Sequence, residues 1–127
     1  MKDRRPPRDS GALTLSYVII VPVFLAALMV IVQASLWYLA RSAALAAARQ
    51  GVDAARIPNS STGAGVTAAV QFARSSASGF LLDPSASGSG GNTIVITVTG
   101  KVPSLVPGLP IQVRQVARAP KERFTTP

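Results

Sequence analysis

Catalysis needs groups that share protons and electron pairs, and this chain of 127 residues is short of them. It has no histidine and no cysteine. The commonest general base, the commonest metal ligand and the thiolate nucleophile are therefore missing. Its five acids, Asp3, Asp9, Asp53, Asp83 and Glu122, lie scattered and suggest no paired carboxylates. On this inventory no catalytic residue, cofactor, metal ligand or small-molecule substrate is expected. The lack of cysteine also excludes a disulfide framework. The positions with chemical interest are instead the Gly11-Ala12 peptide bond and a few residues set in a long apolar run: Ser16, Pro22 and Gln33.

The element that carries these positions is uncharged from Ala12 to Ala40. A membrane span needs roughly 20 predominantly apolar residues, and the stretch exceeds that. Its large apolar side chains are densest from Tyr17 to Val32, interrupted by Pro22, which removes one helical hydrogen bond and is expected to kink the helix. Trp37 and Tyr38 sit at the far end, as interfacial aromatics do. A buried helix of a soluble core is the competing reading, but nothing else in the chain is long or apolar enough to surround it. Residues 1–11 then form a basic leader, with Lys2, Arg4, Arg5 and Arg8 close to the run, against Arg41 and Arg49 on the other side. By the positive-inside rule the N-terminus stays in the cytoplasm and the C-terminal part is exported, as a single-pass protein of the cell membrane. The apolar core is too long for an ordinary cleaved signal peptide, so it reads as a signal-anchor.

The net charge is +8. The bases are thinly spread, the denser groups lie at the ends, and no aromatics interleave with them as a nucleic-acid stacking platform requires. The charge is read as topology and surface, with the membrane and not nucleic acid as partner.

Gly11 sits at the junction of charged and apolar segments. It serves as a flexible entry to the helix. It also suits a peptidase at the cytoplasmic membrane face, which needs an extended residue without Cβ just outside the helix; a cut there leaves Ala12 as a new N-terminus and keeps the span. Residues 41–57 extend the same helix on alanine-rich sequence until Ile57-Pro58 stops it. Half of a rod of ~65 Å then stands clear of the bilayer. Along it Leu45, Ala48, Val52 and Ala55 form an apolar stripe. Ala43, Ala47, Gly51 and Ala55 repeat every fourth residue, a small-residue ridge that permits close helix approach. The ridge is either filler on a solvated helix or a face made for packing against other helices.

Residues 58–127 are expected to form a small exported domain. Val66, Ala69, Val70, Ala73, Ala77 and Phe80 lie on one face of a second, amphipathic helix at about Gly65–Ser78. Residues 84–92, rich in Ser and Gly, read as a flexible loop. Thr93–Thr99 reads as a strand with Ile94, Ile96 and Val98 inward. A second strand, Ile111–Val116, starts by alternation and loses phase at Arg114-Gln115-Val116, which suggests a bulge. Between them Leu105, Val106 and Leu109 either cover the sheet or form a contact patch for a partner or lipid. The tail from Ala119 reads as disordered. The fold class is α+β: a long N-terminal transmembrane helix, then a small domain with one amphipathic helix and a β-hairpin.

The run from Gly11 to Leu25 resembles the TadE-like family of pilus-assembly proteins. The likeness continues through Gln33, Trp37-Tyr38 and the Ala/Arg-rich extension to Gln50-Gly51. Val98–Gly108 and Ala119–Phe124 also look like actinobacterial members. The resemblance implies a minor pseudopilin of the Flp/Tad pilus machinery. A prepilin peptidase would cut after Gly11, and the helix would pack with other pilin-like or Tad assembly proteins. The family's fifth residue after the cut is normally glutamate, thought to pair with a neighbouring subunit's new amine; here it is Ser16, which supplies no charge. The alternative is an uncleaved single-span anchor or scaffold whose exported domain binds an envelope partner.

Overall fold

The computed structural model describes residues 9–123. The leader's Lys2, Arg4, Arg5 and Arg8 and the last four residues lie outside the described residues. Five elements follow in order: α1 (Asp9–Arg56), α2 (Thr62–Ser76), β1 (Leu82–Ser89), β2 (Thr93–Val102) and β3 (Ile111–Pro120). The fold is α+β. Its strands form one antiparallel sheet in the order β1-β2-β3. The chain divides into two compact units, Met1–Val32 and Gln33–Pro127.

In the first unit every residue from Gly11 to Val32 is exposed. Leu13, Ile20, Phe24 and Val30 are all more than half bare. In water such an apolar surface would be strongly unfavourable, so it calls for lipid or protein around it. α1 is the one helix among the described residues long and apolar enough to cross a membrane. This suggests a single-pass membrane protein. The helix runs through Pro22.

The second unit holds the core. From Ala40 onward α1 buries Ala40, Ala44, Ala47, Ala48, Gly51, Val52 and Ala55, a stripe at helical spacing. Ile57-Pro58 ends the helix, since the residue before proline is pushed out of the α region. The chain turns through Asn59, held at φ 66. Ser61 then caps α2, its hydroxyl accepting from the Ala64 backbone N–H at 3.1 Å. α2 buries Gly65, Ala69 and Ala73 at fourth-residue spacing. The two small-residue rows meet at Gly51 and Gly65. A Cβ placed on Gly51 would lie 2.7 Å from the Gly65 carbonyl oxygen and 2.9 Å from Ala69 Cβ. One placed on Gly65 would lie 2.5 Å from the Gly51 carbonyl oxygen. Only hydrogen fits at either position.

Beneath the helices lie Ile94, Ile96, Val98 and Val102 of β2 and Val113 and Ala117 of β3. Leu81, Ile94, Ile96 and Val98 are the largest fully buried side chains. Each contributes roughly 1.5–3 kcal/mol of transfer free energy. On the opposite sheet face stand Ser85, Ser87, Thr97, Thr99, Arg114 and Arg118.

Three local expectations are corrected. The Ser/Gly-rich stretch expected as a flexible loop is mostly strand: Ser85–Ser89 pair with Val95–Thr99, so the sheet has three strands and not a hairpin alone. The open backbone groups along β2 supply the pairing that side-chain propensity does not. The irregularity sits between Leu82 and Ser85, with Asp83 at φ 45. β3 carries no bulge and stays in register with β2 from Ile111 to Pro120. Its inward positions run Ile111, Val113, Gln115, Ala117 and Ala119, so Gln115 takes a half-buried place in an unbroken alternation. The tail is held as far as Arg123: Lys121 N–H donates to the Asn92 carbonyl at 3.0 Å, Arg123 pairs with Asn92 Oδ1, and Glu122 accepts from Arg56 at 2.8 Å.

The Gly51–Gly65 contact is testable. Gly51→Ala and Gly65→Ala each gain about 1 kcal/mol of helix propensity. They lose more than this by forcing the helices apart, since overpacking costs roughly 1–3 kcal/mol at sites where atoms can yield and backbone oxygen yields poorly. Both variants should lower the unfolding midpoint of the full chain in detergent micelles, followed by circular dichroism. Gly63→Ala, whose Cβ meets nothing closer than Ser61 Oγ at 3.7 Å, should leave it unchanged or raise it.

Candidate functional site

An amide in an apolar helix needs partners, because an unbonded polar group away from water costs several kcal/mol. Gln33 is the only Asn or Gln between Ala12 and Ala40. Its partners come from seventy residues downstream. Gln33 Nε2 donates to the Pro103 carbonyl at 3.1 Å, and the Leu105 backbone N–H donates to Gln33 Oε1 at 2.8 Å. One side chain thus uses both ends of its amide to clamp the loop between β2 and β3. One turn further along α1, Trp37 carries the Arg41 guanidinium over its ring, 5.4 Å from the centroid. Such a cation–π contact contributes about 0.5–1 kcal/mol at an exposed site.

The clamped loop is built from prolines and apolar residues. Ser104 Oγ donates to the Val106 carbonyl at 2.9 Å, and the Val106 N–H returns to Ser104 Oγ at 3.2 Å. Leu109 N–H bonds the Val106 carbonyl at 3.3 Å. The sequence offers covering the sheet as one role for Leu105, Val106 and Leu109, but all three are exposed, at 40%, 51% and 51%. The sheet's inner face is already covered by the helices.

The other sequence-derived positions fall in different places. Gly11 lies within the first turns of α1, which begins at Asp9, and not in extended chain before it. Nothing lies within 4 Å of where a Gly11 Cβ would be. Ala12 accepts a hydrogen bond from Ser16 Oγ at 2.9 Å. The Ser16 proton is thereby committed to its own helix, as is common for serine inside apolar helices. On the ridge Ala47, Gly51 and Ala55 are buried and Ala43 is half-buried; Gly51 and Ala55 lie against Gly65 of the chain's own α2. Asp53 and Arg56 pair across one turn at 3.5 Å, and Arg56 also reaches Glu122 at 2.8 Å. These part-exposed pairs are worth under about 1 kcal/mol each.

Among the described residues no group of three or more His, Cys, Asp or Glu could hold a metal ion. The Gln33 clamp went unread in the sequence. Its signal was weak: one amide in an apolar run, and a loop too proline-rich to be a strand.

Gln33→Ala removes both bonds and leaves the Leu105 N–H without its acceptor. The expected result is faster hydrogen exchange at the Leu105 amide and about 1 kcal/mol less stability. Exchange in the β2–β3 ladder away from the loop should stay slow, as read by hydrogen–deuterium exchange.

Compared with known proteins, residues 11–53 match the family model described as TadE-like protein. The match covers the helical part of the resemblance read from the sequence; the two C-terminal stretches of that resemblance lie outside it. No curated protein and no solved structure matches the chain.

Proposed function

We propose that this chain is a non-enzymatic, pseudopilin-like component of a Tad/Flp-type pilus or secretion assembly. The observation that carries the reading is the TadE-like match over Gly11–Asp53, which itself points to a Tad pilus-associated component. The first half of the match, Gly11–Val32, is the segment whose apolar surface is bare. On this reading the N-terminus is cytoplasmic and the C-terminal unit lies outside the membrane. The charge bias supports that orientation: four bases precede the apolar run at close range, against Arg41 and Arg49 after it. A prepilin peptidase cuts between Gly11 and Ala12, and the exposed helix then packs with other pilin-like or Tad assembly proteins. Ser16 takes the place of the family's glutamate. It supplies no carboxylate to a neighbour's new amine, so association relies on shape and dispersion along the helix.

The second reading, an uncleaved anchor whose outer unit binds an envelope partner, is favoured by one observation. Gly11 is helical at the proposed cut, whereas a peptidase needs extended chain there.

Intact mass of the protein purified from its native membrane separates the two. Loss of Met1–Gly11 in the wild type but not in a Gly11→Leu variant is expected. A full-length mass in both would sink the processed reading and leave the anchor.

A further inference from the structure

The loop at Pro103–Pro110 is held in one place by one residue, and that residue marks a boundary. From Leu13 to Val32 α1 is apolar apart from Thr14 and Ser16. Twenty such residues rise ~30 Å, the thickness of a bilayer's hydrocarbon core. Gln33 is the next residue, and Trp37 follows one turn later. A segment clamped to Gln33 by two hydrogen bonds therefore sits where hydrocarbon gives way to headgroups.

The loop's chemistry suits that place. Val102 to Ile111 carries no charge. Leu105, Val106 and Leu109 are exposed, about half bare. Part of the backbone is bonded within the chain. Pro103, Pro107 and Pro110 have no N–H, and the amides of Leu105, Val106 and Leu109 are bonded to Gln33, Ser104 and Val106. Each donor bonded within the chain lowers the cost of leaving bulk water, and the interface keeps water and headgroups at hand for the rest.

We infer that residues 103–110 form a second membrane contact, with Leu105, Val106 and Leu109 resting in the interface of the leaflet at the C-terminal end of the span. The occupant of this patch is lipid: the boundary position of Gln33, the uncharged sequence and the bare apolar side chains all belong to a loop at a bilayer surface. This contact rests on the reading of α1 as a membrane span.

The chain has no cysteine, so single reporters can be placed without background. Phe24→Cys, Leu105→Cys, Leu109→Cys and Gln71→Cys are each labelled with a nitrobenzoxadiazole fluorophore. The full chain is reconstituted at low protein-to-lipid ratio in phosphatidylcholine vesicles with or without spin-labelled lipid. Gln71 lies on the exposed side of α2 and serves as the aqueous reference. The expected result is a fluorescence loss at positions 105 and 109 several-fold greater than at 71, together with strong loss at 24. Loss at 24 with the loop positions no more quenched than 71 overturns the loop contact and leaves the span intact. No loss at 24 overturns the span, and the loop proposal falls with it.

Discussion

Two helix backbones touch at Gly51 and Gly65, and the second unit is built on that touch. Its helices bury mostly alanine: Ala40, Ala44, Ala47, Ala48 and Ala55 on α1, Ala69 and Ala73 on α2. Each alanine removes little apolar area from water, so the stabilisation comes from how closely the helices approach and how many dispersion contacts they share. A Cβ at either glycine would meet a carbonyl oxygen that belongs to the opposite helix. A three-stranded sheet of this size depends on cover for its apolar face. Here Ile96, wholly buried, lies against the crossing itself, its Cγ2 within 3.1 Å of where a Gly51 Cβ would be. Loosening the crossing would therefore uncover the centre of the sheet.

Much of this was legible in sequence because it is periodic. The spacing of Ala43, Ala47, Gly51 and Ala55 marks a face for close approach, and the alternation of Ile94, Ile96 and Val98 marks the inward side of β2. What spacing cannot name is the occupant. A small-residue row says that a helix comes near and is silent on whose helix it is; here α2 of the same chain takes the place. β1 was illegible for a different reason. Ser85–Ser89 has no side chains that favour a strand, and it pairs because β2 offers unmet backbone donors and acceptors. Gly88 suits its place: a Cβ there would lie 2.6 Å from Thr62 Cγ2 of α2 and 2.8 Å from Ile96 Cδ1. In β3 the inward Gln115 hid the phase, since one polar residue on the inner face is enough to blur a short alternation. The Gln33 clamp joins residues seventy positions apart by a backbone pattern, and no local signal encodes that.

Gln33 and Ser16 show how differently polar groups in one apolar helix are resolved. Ser16 is answered within four residues by the Ala12 carbonyl, which leaves the helix self-contained at that level. Gln33 is too long for that solution and carries both a donor and an acceptor. A loop backbone, which presents a carbonyl at Pro103 and an N–H at Leu105 on one side, matches both at once. Proline at position 103 suits this, since it removes the N–H that would otherwise need its own partner.

These occupancies narrow what the chain has left for others. On the pseudopilin reading α1 must pack with neighbouring helices. At Gly51 and Ala55 the ridge is already occupied by α2, and opening that crossing would uncover the second unit's core. The longest bare stretch of α1 runs from Leu13 to Val32, and its side chains are mostly large, with Thr14, Ser16, Ala26 and Ala27 the small ones. Helix contacts there would be of the wider, interdigitated kind, driven by dispersion and lacking the charge that a carboxylate at position 16 would bring. Association of that kind is weak per residue and long in extent. Its strength would grow with the length of helix engaged and would not be concentrated at a single site.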